Sequence, residues 1–383
     1  RSSSVRNAQP LTLSCNLRLP PPRYALRMRD RTALQASLRS VVERGLSREP
    51  RFAEIAERWE RWWSFDADRP LLIGVAPRRG TGRHKPFDVI DDPKAWLEAS
   101  RLRLDESYFI DQSVPSIRVD FGPVFTGALL GARLHFAIRE NTSWQDPVDD
   151  PYDGRLEIDP EGRWFSLYMR LVETVSADAA GDYLVCLPDF SGATDILANL
   201  RGSEALLMDL YDRPDDVKRA LPRLVDAWEY AFDRTMDTIT AAGAGATSWL
   251  HAWSDVPYTV PTCDFNSMIG PEHFAEFALP YLEEQGRRAG RCLFHLDGPD
   301  AARHAEALAG STIDAIQFTP GAGSTGAIPK IPMFRMLQEA GFGEIDLEQD
   351  PSYAEKAAKF SDPLYQKILE DLPEDMKLAD YIT

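Results

Sequence analysis

The stretch RCLFHLDGPD, residues 291–300, ends an apolar run with a histidine and an aspartate one residue apart. If the run is a β-strand, His295 and Asp297 share a face, because side chains two apart in a strand point the same way. An imidazole and a carboxylate converging on one point suit zinc or another divalent ion, and equally suit a general base oriented by an acid. A plainer reading is a hydrogen-bonded pair that closes the strand. Upstream, TCDF at 262–265 places Cys263 and Asp264 after another apolar run and ahead of a helix that starts near Pro271. Either could complete a ligand set or touch substrate, although a cysteine there also suits a small buried filler and an aspartate a turn cap. The expected centre is therefore His295, Asp297 and Asp264 for catalysis, with Cys263 joining His295 and Asp297 as metal ligands.

Substrate contacts are expected from three further places. Asp189, after YLVCLP, and Asp195, in SGATD, follow an apolar run and either face a ligand or serve as an Asx turn and a helix cap. The segment SWLHAWSDVPY sets Trp249, His251, Trp253 and Tyr258 around one strand end, where they could wall an apolar pocket, cage a methylated ammonium group, or simply pack. Two motifs are weaker. GAGSTG at 321–326 matches GxGxxG, yet AIPKIP with two prolines follows where a dinucleotide fold requires a helix, so it reads as a plain anion-binding or flexible loop. QDPVDDPYDG at 145–154 reads as an exposed acidic loop rather than a cation site. His84, His135, His273 and His304 receive no role.

These residues need a framework, and the hydrophobic pattern supplies one. Helical spacing over 31–45 and 51–63 carries Ile55, Trp59, Trp62 and Trp63 on the second segment. From PLLIGVAP at 70–77 onward, strand-length runs alternate with amphipathic helices: SIRVDFGP, YLVCLPDF, ATSWLHAW, CLFHLDG and AIQFTPG, each closed by Gly, Pro or Asp. That alternation predicts parallel βα units. The spacing predicts a long helix over 214–241, kinked or divided at Pro222, and a helix from Pro271 that buries Phe274, Phe277, Ala278 and Tyr281. Residues 351–372 also read as helices, divided at Pro363. Without a repeat or a linker, residues 30–383 read as one domain, an α/β fold of the (β/α)8 TIM-barrel class with an N-terminal helical extension, whose active site belongs at the C-terminal ends of the strands.

Composition narrows the partners. The chain has 383 residues, 44% hydrophobic and 27% charged, enough for a large core, with no run of apolar residues long enough to cross a membrane. A net charge of −17 disfavours nucleic acid and anionic membranes and leaves a small molecule as the expected ligand. The four cysteines, Cys15, Cys186, Cys263 and Cys292, form no CxxC pair and read as reduced thiols of a cytoplasm-like compartment. Residues 1–29 hold six arginines and no acid, which suits an organelle-targeting segment or sequence upstream of a start at Met28.

The order and spacing of these segments resemble the uroporphyrinogen decarboxylase superfamily, which includes corrinoid-dependent methyltransferases. The carrying residues are DFSGATDILANLRGSEALLMDLYDRPDDVKRAL at 189–221, TCDFNSMIGPEHFAEFALPYL at 262–282, FHLDG at 294–298 and DAIQFTPGAG at 314–323, with weaker likeness in DFGPVFTGALLG at 120–131 and ENTSWQDP at 140–147. The resemblance implies a TIM barrel and metal-assisted methyl transfer, with zinc the expected ion and a corrinoid, free or on a partner corrinoid protein, as co-substrate; it also allows a homodimer. Its methyltransferases hold zinc through a HxC pair and a later cysteine. Here His295 matches the histidine, Asp297 replaces the cysteine, and no cysteine follows Cys292. That exchange makes the expected ligand set harder. The superfamily's decarboxylases carry an arginine-rich N-terminal motif for tetrapyrrole carboxylates that is absent here, so decarboxylation stands as the alternative, beside a non-catalytic corrinoid or tetrapyrrole binder.

Overall fold

In a computed structural model, residues 31–67, 71, 73–77, 86–138, 142–154 and 156–319 are described. The sequence expectations for 1–29, for GAGSTG at 321–326, for the helices at 351–372 and for His84 lie outside these residues. Two helices open the described chain, α1 (Thr32–Arg44) and α2 (Phe52–Trp63). Helix α2 is amphipathic, and Phe52, Ile55, Ala56, Trp59 and Trp63 are buried along one stripe. β1 (Ile73–Pro77) then leads to α3 (Pro93–Asp105), whose N-terminus is capped by the Asp92 carboxylate accepting from Lys94 and Ala95 amides. β2 (Ser107–Asp111) returns antiparallel to β1. The parallel alternation expected from the first strand onward therefore starts one step later, with β3 (Ser116–Arg118).

From there the chain builds two three-stranded parallel sheets. After β3 come α4 (Phe125–Leu129), the antiparallel pair β4 (Leu134–Ala137) and β5 (Thr142–Gln145), α5 (Arg163–Ala179) and β6 (Leu184–Cys186). Helices α6 (Ala193–Arg201), α7 (Ser203–Asp212) and α8 (Pro214–Ala241) lead to β7 (Ala246–Thr247), and β6 lies between β3 and β7. The second sheet contains β8 (Tyr258–Thr259), reached again through α9 (Pro271–Phe277) and α10 (Leu279–Ala289) by β9 (Arg291–Asp297), then α11 (Ala305–Ala309) and β10 (Ala315–Thr319). The fold is thus mixed α/β with parallel sheets. Between β7 and β8 the described residues show no ladder; side chains bridge instead, with Tyr258 Oη accepting from the Ser248 amide at 3.0 Å and Trp249 Nε1 donating to the Val260 carbonyl at 3.4 Å.

Two helix expectations change. Helix α8 runs undivided through Pro222, which removes one amide donor while Val217, Leu221, Leu224 and Trp228 keep the stripe fully buried. The single helix expected from Pro271 is two, because Pro280 starts α10 and Ala278 leaves helical geometry at φ −125°, ψ −61°. Phe274, Phe277 and Ala278 are buried as expected, whereas Tyr281 is half-buried. Among the described residues no helix is long and apolar enough to cross a membrane.

Alternate strand residues enter two separate cores. Ile117, Val185, Ala246, Phe294 and Leu296 join the large core under helices α3 to α11. Leu184, Tyr258, Leu293 and Ala315, from the opposite face, meet Phe52, Ile55, Trp59 and Trp63 of α2. In this second core, which forms a plug, Trp59 Nε1 donates to the Gln112 carbonyl at 3.1 Å and Trp63 Nε1 to the Trp253 carbonyl at 2.8 Å. Helix α2 therefore seals the strand starts on this second face, and the same face carries Arg118, His295, Asp297, Gln317 and Thr319 toward the strand ends.

Candidate metal centre

Strand β9 places His295 between two neighbours. Its amide donates to the Pro261 carbonyl at 3.1 Å and it bridges Thr262 on one side, while Gln317 lies opposite it in register on the other. Two residues beyond Thr262 a 3-10 turn, Asp264–Met268, begins. One side-chain ligand atom from each of Asp264, His295 and Asp297 lies within 4.8 Å of the others. The pairing of Thr262 with His295, rather than any sequence proximity, brings Asp264 to the HxD motif.

The tautomer of His295 follows from its neighbours. Gln317 Nε2 donates to the Phe318 carbonyl at 3.1 Å and to Thr319 Oγ1 at 3.1 Å, and because a carbonyl only accepts, this orients the amide. Gln317 Oε1 then faces His295 Nδ1 at 2.5 Å, so Nδ1 carries the proton and donates. In the neutral ring this tautomer leaves Nε2 as an acceptor, the form a metal ligand requires. Among the described residues Asp297 Oδ1 is buried without a hydrogen-bond partner, which is costly for a carboxylate oxygen unless something occupies its lone pairs. Gly298 at φ 83° turns the chain away directly afterwards.

Asp195 stands behind this cluster. Its carboxylate, 7% exposed, accepts from the amides of Asp264 at 2.8 Å and Phe265 at 3.0 Å and from the Thr262 hydroxyl. It therefore anchors the turn that presents Asp264 rather than facing a ligand. Burial, followed by the negative Asp264, pushes its pKa up to about 7. Asp264 keeps an exposed edge; the protein around it and the Asp297 charge raise it, against the pull of His295.

Asp189 ends β6 as an Asx turn, Oδ1 accepting from the Ser191 amide at 2.7 Å, and burial pushes it up to about 8. Ser191 is held at φ 60° and the Gly192 amide donates to the Thr262 carbonyl at 2.9 Å. A Cβ on Gly192 would stand 2.3 Å from that carbonyl, so glycine is required for the loop to close on the 262–264 segment. The fully buried Gln285 fastens the same loop through the Ser191 carbonyl and Ala193 amide, each at 3.1 Å.

The aromatic segment separates. Trp249 sets its indole edge-on to His295, centroids 5.0 Å apart at 72°. His251, at φ 57°, turns to Ser116, its Nδ1 3.3 Å from Oγ, and burial followed by the Arg118 charge lowers it to about 4. Tyr258 and Trp253 belong to the plug instead: Tyr258 Oη is occupied by the Ser248 amide and the Ala252 carbonyl, and Trp253 packs on Phe52. The expected wall of Trp249, His251 and Tyr258 is therefore not assembled, and these residues form no aromatic cage among the described residues. Cys263 lies in the large core, 1% exposed, its thiol pushed well up by burial, and the clustered ligand atoms come from Asp264 in its place. The acidic loop is clasped rather than free, with Asp150 on Arg213 at 2.8 Å and Tyr152 Oη donating to Asp209 at 2.8 Å. His304, given no role from sequence, is fully buried, with Nε2 donating to the Asn266 carbonyl of the Asp264 turn at 2.8 Å.

Sequence reasoning missed Gln317 and Arg118. Both stood in recognised strands, as polar residues two apart from another polar residue on an otherwise apolar element, which is the signal that could have found them.

No protein-family model and no curated protein matches the chain. Among solved structures, a methyltransferase from Methanosarcina mazei is similar at 12% identity with a TM-score of 0.49, over 75% of this chain and 90% of that one.

Proposed function

We propose that this chain is a divalent-metal-dependent enzyme of the uroporphyrinogen decarboxylase superfamily, with its parallel sheets forming part of a closed barrel, that transfers a methyl group between a corrinoid and a small substrate. The observation that carries the metal is the convergence of Asp264, His295 and Asp297 within 4.8 Å, with Nε2 of His295 left as acceptor by the Gln317 contact. Two carboxylates and one imidazole favour a harder ion, or a harder use of zinc, than a thiolate set does. A bound ion would supply Lewis acidity to a substrate heteroatom. Asp264, His295 and Asp297 would hold it, and Asp195 keeps Asp264 in place by accepting from the Asp264 and Phe265 amides. Trp249 packs its ring against one side of the imidazole and helps hold its orientation. Asp189, with its Oδ1 on Ser191 and its pKa pushed up to about 8, retains a proton near neutrality that a substrate can receive.

The test is metal analysis by mass spectrometry of protein from zinc- and cobalt-supplemented cells. One equivalent in the wild type, lost in His295→Ala with the fold retained, is the expected result; absence of metal from the wild type would sink the reading. Loaded protein is then offered methylcobalamin with candidate acceptors, and loss of the methyl-cobalt absorption band is followed. Carbon dioxide release from a porphyrinogen without any methyl transfer would replace methyl transfer by decarboxylation.

A further inference from the structure

A second group of polar residues stands on the same strand-end face, two strands away from β7 and outside the metal cluster. On β3 the buried Ile117 joins the large core, so Ser116 and Arg118 share the opposite face, and both are half-buried. Arg118 uses Nε on Asp120 Oδ2 at 2.5 Å, and its side chain keeps 35% of its surface exposed. Among the described residues its two Nη groups have no hydrogen-bond partner. A guanidinium is a fork: one edge engaged by a carboxylate leaves the other edge shaped for a second oxyanion.

The nearest acids do not fill that edge. Asp120 also accepts from the Gly122 amide at 3.2 Å. Asp189 turns its Oδ1 to the Ser191 amide. A second guanidinium, Arg103 on the last turn of α3, lies in range of both Arg118 and Asp120, and its pKa is lowered by burial and by the Arg118 charge. Two cations thus lie within electrostatic reach of the Asp120 carboxylate.

His251 and Ser116 add a neutral donor. The imidazole is uncharged at neutral pH and therefore has one N–H. If Ser116 donates to Nδ1, Nε2–H remains free; if Nδ1–H donates to Ser116, the hydroxyl proton remains free. Either arrangement leaves one donor unspent. The unusual φ of 57° at His251 indicates that the fold holds this side chain in place at some cost.

We propose that the Nη edge of Arg118, with Ser116 and His251 beside it, binds an anionic group of the substrate, a carboxylate, sulfonate or phosphate. Asp189 senses the charges of both Arg118 and Asp264, which makes the two clusters neighbours on one face. This rests on the metal-site reading only for the far end of the substrate: the anion is held at Arg118 while its reacting heteroatom reaches Asp264, His295 and Asp297.

The experiment is calorimetric titration of the chelator-treated full chain with inorganic phosphate, acetate and methanesulfonate, so that no ion can bind them elsewhere. Saturable binding of at least one anion is expected, and the tightest of the three assigns the class. Arg118→Met should weaken it by about tenfold or more, the scale of a lost charge-assisted pair, and Arg118→Lys by less, because the charge stays and the fork goes. Asp120→Asn, which removes the competing carboxylate but keeps an acceptor for Gly122, should tighten it. Circular dichroism checks that each variant folds. No saturable binding in the wild type, or equal binding in a folded Arg118→Met, overturns the proposal. Arg118-dependent anion binding in a protein that never takes up metal supports the subsite and sinks the metal reading, so the two fail separately.

Discussion

The two ends of one strand face are built on opposite terms. At the strand starts, Leu184, Tyr258, Leu293 and Ala315 meet the tryptophans of α2 in an apolar core where the Trp59 and Trp63 indole N–H groups are paired. At the strand ends, the same face offers Asp297 Oδ1 and the Nη edge of Arg118, both without a partner among the described residues, and backbones at positive φ on Ser191 and His251. The apolar end is complete by itself. The polar end keeps unpaired polar atoms among the described residues, and that asymmetry is what makes it the candidate site. Local strain and unpaired polar atoms cost stability, and here they are concentrated where the plug's packing can compensate.

The contrast can be broken most strongly from the plug. Phe52→Ala empties a fully buried ring position and should cost about 3–5 kcal/mol in denaturant unfolding, with metal content per folded molecule unchanged. A loss of metal at unchanged stability would mean that the two ends are not separable. Gln317→Ala acts in the opposite sense: it releases the His295 tautomer and should weaken metal affinity by about 10- to 100-fold, read by competition with a chromophoric chelator, with little change in melting temperature. Tyr258→Phe sharpens the assignment of that tyrosine to the plug. Losing its contacts to Ser248 and Ala252 should lower stability by about 1–3 kcal/mol and leave ligand binding untouched, whereas altered binding at full stability would return Tyr258 to the pocket.

The smallest effect is a pH slope. Asp189 has a folded pKa raised from 3.8 to about 8, so between these values the folded state holds the proton more tightly than the unfolded chain. Its contribution to stability is fully present below pH 3.8 and is lost as pH rises through about 8. In metal-free protein, melting temperatures across that window should fall less steeply for Asp189→Asn than for the wild type. Parallel curves would show that the carboxyl is ionised like an exposed one.

Much of the framework was legible because it depends on local pattern. Helices α1 and α2, the six strands quoted in the sequence and the buried stripe of α8 follow from apolar spacing, which acts over a few residues. The antiparallel return of β2 and the break at Ala278 were not, since pairing partners and proline placement within a stripe are settled by neighbours far along the chain. At the site, His295 and Asp297 were found through their shared face. Asp264 and Cys263 were both legible as candidates; the structure brings Asp264 to the cluster and buries Cys263 in the large core, a difference residue type alone does not carry.

What the sequence by itself determined is the HxD pair, an imidazole and a carboxylate on one strand face, in a chain of net charge −17. Only the tertiary structure decided which groups those two residues meet. The register of Thr262 and Gln317 on either side of His295 brings Asp264 into the cluster and sets the imidazole tautomer, and the plug removes Tyr258 from the pocket. Chemistry of side chains is written in residue types, but convergence within 4.8 Å depends on strand register, which long-range packing sets.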